Sequence, residues 1–160
     1  MKSIYKISLV SLVFFIYNSK DHKKEERSLN EPSMSYKKLK DLAIIKGDTN
    51  AYHEMSIAYM DSPNNTDFIN TALIMANKHN FHEAYLDVYY CLTDYYHRKD
   101  FKNLDDLDKK QRDTALKYLI MGSEKKDKEC RNLLGYYYLE GKYIEKDTIK
   151  GLKLIKESEN

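Results

Sequence analysis

The side chains of this sequence that could do chemistry are scattered and do not converge on a motif. The histidines are His22, His53, His79, His82 and His97. Only His79 and His82 are close in sequence, and they straddle a predicted turn. A zinc site built on one helix needs two histidines four apart, and a structural one commonly needs paired cysteines. Neither pattern occurs, and Cys91 and Cys130 stand alone. Asp105, Asp106 and Asp108 have the acidity of a calcium loop without its central glycine or terminal glutamate. They are expected to cap a helix that begins near Leu107. No Gly-x-Ser-x-Gly elbow, phosphate loop or dinucleotide fingerprint is present. One catalytic reading stays open, a hydrolase using carboxylates such as Glu54 and Asp87, which would require the two acids paired in a cleft.

Aromatic side chains are far more abundant than catalytic ones. The chain has 15 tyrosines and no tryptophan, grouped at Tyr89-Tyr90, Tyr95-Tyr96 and Tyr136-Tyr137-Tyr138. Tyrosine combines an apolar body with a polar tip, so such groups serve either packing or recognition. Sorting the two uses depends on the elements that carry them.

Those elements are clearest over residues 130–158. Cys130, Leu134, Gly135 and Tyr138 fall within one broad helical face. A glycine inside a helix costs about 1 kcal/mol against alanine, so Gly135 implies a neighbouring helix with no room for a Cβ. Gly141 marks a turn. Asp147 is placed to cap a second helix, whose facing stripe is Gly151, Leu154 and Ser158. One such hairpin cannot bury its own apolar face, so others are expected upstream.

A recurring link supplies them. Ala43-Ile44 is followed by Gly47 and Ala51, Ala76-Asn77 by Asn80 and Ala84, and Gly122-Ser123 by Lys126 and Cys130. Glycine and asparagine tolerate the left-handed conformation that ends a helix; Lys126 is the departure. Aligning Ala51, Ala84 and Cys130 makes Met55, Val88 and Leu134 equivalent, as are Tyr59, Leu92 and Tyr138. The spacings are 33 and 46 residues. Most of the excess lies in residues 97–111, read as a polar loop or helix extension.

The last unit, with Leu134-Gly135, Tyr138 and Gly141 followed by Asp147, Lys150-Gly151 and a closing Ser158, resembles the Sel1-like repeat. The first two units carry Met55-Ser56 and Val88-Tyr89 where that family has Leu-Gly, and Ser62-Pro63-Asn64-Asn65 in place of the glycine turn. They resemble general helical hairpins of the tetratricopeptide kind. The resemblance implies an all-α fold over residues 36–158, a short α-solenoid of about three helix-turn-helix repeats. It also implies a non-enzymatic protein-binding scaffold. Some small exported proteins of this kind look like immunity proteins that bind and neutralise an antibacterial toxin; the alternative is an envelope adaptor regulating a cell-surface enzyme.

Few glycines and prolines and no alternating strand pattern agree with an all-α domain. The formal net charge of +2 comes from interspersed acids and bases, which leaves no basic stripe for nucleic acid. No cofactor is implied. At the N-terminus, Lys2 and Lys6 precede an apolar run from Ile7 to Tyr17, the pattern of a secretory signal over residues 1–17. The run is shorter than the roughly 20 apolar residues that span a bilayer, so membrane contact is expected only transiently, during export to the periplasm. A tether formed by the uncleaved segment is the alternative, as is an N-terminal helix packed on the domain. Neither cysteine follows the run closely enough for lipid attachment. Residues 18–35 read as a solvated, charged linker. In the repeat register Cys91 lies seven residues beyond the small position that Cys130 occupies, a rise of about 10 Å, so two buried thiols are expected rather than a disulfide.

Two surfaces are candidates for a protein partner. Tyr59 and Tyr138 belong to the inner face, whereas Tyr90 and Tyr136 point about 180° away from it. His53, Glu54, Asp87 and Asn132 lie on the same outer side. On the C-terminal helix, Ile149, Leu152 and Ile155 form an apolar face that could dock a partner or a second copy of the chain, giving a homo-oligomer.

Overall fold

The computed structural model describes residues 32–61, 67–93 and 104–159. The expected signal segment and most of the expected linker lie outside them. The described residues form helices and no strands. Helix α1 (Tyr36–Asp41) runs into a π-helical turn (Leu42–Lys46) and is followed by α2 (Thr49–Asp61), α3 (Asp67–His79) and α4 (His82–Thr93). After a 3₁₀ turn (Leu104–Asp106) come α5 (Lys109–Glu124), α6 (Lys128–Glu140) and α7 (Thr148–Ser158). The all-α fold expected from composition is therefore present.

Each helix packs chiefly on its neighbours in the chain: α3 on α4, α4 on α5, α5 on α6 and α6 on α7, with α1 and the π-helical turn covering α2 and the turn touching α3. The aligned positions Met55, Val88 and Leu134 are all buried. They belong to two apolar clusters. One gathers Leu39, Tyr52, Met55, Tyr59, Phe68, Met75, Tyr85 and Val88 from α1 to α4. The other gathers Tyr89, Tyr90, Leu116, Leu119, Cys130 and Leu134 from α4, α5 and α6. Burying a side chain of this size contributes about 1.5–3 kcal/mol.

The three links share one geometry. Gly47 (φ 68°), Asn80 (φ 54°) and Lys126 (φ 68°) all adopt the left-handed conformation, each four residues before a buried small residue. Lys126 thus takes the shape of the residues it departs from. Its turn is fixed by the helix end, where the Lys126 and Asp127 amides donate to the Ser123 and Gly122 carbonyls at 3.0 and 3.1 Å, partners those carbonyls would otherwise lack. The next helix is then capped. The Asp48 carboxylate accepts from the Ala51 amide at 3.0 Å and Asp127 from the Cys130 amide at 2.8 Å. At the middle link Phe81 has no such side chain, and its carbonyl accepts from the Ala84 amide at 3.2 Å.

The remaining caps follow their residue types. Asp108 begins α5 with a capping box, accepting from the Gln111 amide at 2.8 Å while its own amide donates to Gln111 Oε1 at 3.4 Å. Asp147 accepts from the Lys150 amide at 2.9 Å and starts α7. Helices α6 and α7 meet through their glycines. A Cβ on Gly135 would sit 2.7 Å from Ile155 Cγ1 and 2.9 Å from the Gly151 carbonyl oxygen, and one on Gly151 2.8 Å from the Gly135 oxygen.

Candidate functional site

The outer side of α2, α4 and α6 does not form one continuous exposed surface. His53 is exposed, with Nε2 3.3 Å from a Glu83 carboxylate oxygen and its ring edge-on to Phe81. Glu54 is half-buried and accepts from both the Ser33 amide (2.6 Å) and the Ser33 hydroxyl (2.8 Å). The end of the segment read as a solvated linker is thus held against α2, and Met34 beside it packs on the first cluster.

Two positions require correction. Asp87 and Tyr90, expected on the outer face, are each only 8% exposed. Asp87 accepts a hydrogen bond from the Tyr52 hydroxyl at 2.7 Å, joining α2 to α4 inside the protein. Tyr90 sits among Leu104, Leu107, Leu116 and Cys130, with its hydroxyl 3.5 Å from Glu129 Oε1. A helical wheel identifies the side that turns away from a helix's own hairpin partner. It cannot show that the following unit covers that side. Asn132 is half-buried and Tyr136, the counterpart of Tyr90 on α6, is 51% exposed. Glu54 is held by Ser33 and Asp87 by the Tyr52 hydroxyl.

These contacts have a register of their own. Glu83 and Glu129 are equivalent, each one residue before the buried small position of its helix. Each faces the preceding helix of the row, Glu83 toward His53 on α2 and Glu129 toward Tyr90 on α4.

Of residues 97–111, read as a polar loop or helix extension, the structure describes those from Leu104 onward, and these form a 3₁₀ turn and the start of α5. Leu104 and Leu107 are buried in the second cluster, and Asp105 pairs with Lys142 in the turn after α6. The Lys142 ammonium holds the Asp105 carboxyl below the ordinary carboxylate range, and Asp105 in turn raises Lys142. The ammonium also lies 5.0 Å from the centre of the Tyr143 ring. Beneath this strap the Tyr89 and Tyr137 hydroxyls are 2.6 Å apart and Tyr143 stands edge-on to Tyr137. Burial, and then the hydrogen bond to Tyr137, pushes the Tyr89 phenol far above its usual value. The signal for this strap in the sequence was the Leu104–Leu107 pair, three residues apart among charges.

Cys130 is buried between α5 and α6, beside Gly122. Burial, reinforced by the Asp127 carboxylate, raises its thiol far above the usual range. Raised and buried in this way, the thiol is held neutral as a packing group. Cys91 is half-buried rather than buried, and the two cysteines are not joined in a disulfide. Among the described residues no His, Cys, Asp and Glu side chains group as metal ligands would, and no helix is long and apolar enough to cross a membrane.

On α7, Ile149 is 84% and Leu152 58% exposed. Ile155 is half-buried and packs toward Gly135 of α6, so the apolar face of this helix is narrower than its sequence implies. Tyr138 is half-buried, not fully inside. Its hydroxyl accepts from Lys150 Nζ at 2.6 Å, and that ammonium lies 4.3 Å from the ring centre. A shallow depression of about 570 Å³ opens beside them, lined by Glu145, Lys146, Asp147, Thr148 and Ile149. No family model matches this chain, and neither does any curated protein or solved structure.

Proposed function

We propose that this chain is a non-enzymatic scaffold that binds another protein, built as a short helical-repeat stack of the Sel1-like or tetratricopeptide kind and exported behind its N-terminal segment. The observation that carries the reading is the repeated link: a left-handed residue and a buried small residue four positions on, three times at the aligned places, with an aspartate capping the next helix at the first and third. Packing that runs from each helix to the next in the chain supports the same reading, since repeat stacks are held together by neighbour contacts. Side chains fixed on rigid helices lose little entropy on association, which suits such a frame to recognising a folded partner.

The test is affinity capture from the native organism with the full chain tagged at its C-terminus, followed by a reciprocal binding measurement with each purified candidate. A saturable one-to-one complex supports the scaffold. A partner that is toxic when expressed alone, and silenced by this chain, makes it an inhibitor of the immunity type. A surface enzyme whose activity changes makes it an envelope adaptor. Absence of any reproducible protein complex overturns the reading. The intact mass of the recovered chain reports separately on export, because removal of about 2 kDa at the N-terminus is the mark of signal cleavage.

A further inference from the structure

We draw no further inference here: the strongest candidate, the apolar end face of α6 and α7 around Tyr136, Ile149 and Leu152, is an unpartnered surface, and nothing in the structure shows what covers it.

Discussion

Helices α4 and α6 carry aligned positions and end in opposite environments on their outer sides. On the inner side they agree, with Val88 and Leu134 both buried. On the outer side Tyr90 is enclosed by the strap and the start of α6, whereas Tyr136 is open to solvent. The same contrast holds between Leu116 and Leu152 on their partner helices. Inner-face burial is set within a hairpin, by the period of its own apolar residues. Outer-face burial is set by what packs over that side from elsewhere in the chain, and identical residue types can be core in one hairpin and surface in another; Ile57, the aligned position on α2, is 38% exposed even with a unit following it.

The largest effect expected from this contrast separates the two tyrosines. Tyr90→Ala removes a ring from a closed cluster and should cost about 3–4 kcal/mol of stability. Tyr136→Ala should cost less than about 1 kcal/mol. Urea denaturation of the two variants, followed by circular dichroism, measures both. Equal costs would break the comparison, since they would place Tyr136 in a core as well.

The glycine seam between α6 and α7 gives the next effect. An alanine at 135 places its methyl against Ile155 and against the Gly151 carbonyl, a backbone group that cannot swing aside, an overpacking strain of about 2–3 kcal/mol, offset by about 1 kcal/mol of improved helix propensity. Gly135→Ala should therefore destabilise the protein by about 1–2 kcal/mol, read as a lower midpoint at unchanged slope. A neutral result would mean the two helices can slide apart. That would mark the terminal hairpin as looser than the one before it, where Gly122 is wedged against Cys130 and Tyr85.

These two cases show what the sequence made legible. Gly135, Asp147 and the small residues of the links were readable because each meets a local requirement: a close approach, an unpaired amide or a backbone reversal. The burial of Asp87 was not, because its reason is the Tyr52 hydroxyl on another helix, 35 residues away. Nor was the strap. Asp105 and Lys142 meet only after α5 and α6 have folded between them, and period or capping in the sequence encodes no such pairing.

The two clusters also differ in how they should respond to alkali. Burial, and then the Asp67 carboxylate, raises the Tyr36 phenol to about 12, while Tyr89 and Tyr137 are raised chiefly by burial in the second cluster. A phenol whose folded pKa is raised favours folding fully below its ordinary value. That contribution is lost as pH climbs from about 10 through about 12. Stability should therefore fall across this window. Tyr36→Phe should remove about 1 kcal/mol of the fall, a figure reduced for the half-exposed position of the side chain. Urea midpoints of both proteins at about pH 9 and about pH 11.5 give the difference directly. An identical fall in the variant would assign it to the other raised phenols, Tyr85 in the first cluster and Tyr89 and Tyr137 in the second.

The smallest effect concerns the links, where three residues of different tolerance share one backbone shape. A lysine held in the left-handed region costs about 1–2 kcal/mol relative to glycine there. Glycine returns part of that gain by loosening the unfolded chain, about 0.5–1 kcal/mol. Lys126→Gly should therefore stabilise the protein by about 0.5–1 kcal/mol, and Asn80→Gly by less, because asparagine already tolerates the conformation. Gly47→Ala runs the other way, since its methyl would meet the His79 ring 2.6 Å from Nδ1 as well as the backbone strain. If Lys126→Gly were instead destabilising, the lysine side chain would be contributing contacts that outweigh its strain. The third link would then be held by its side chain, unlike the first, where a glycine has none to contribute.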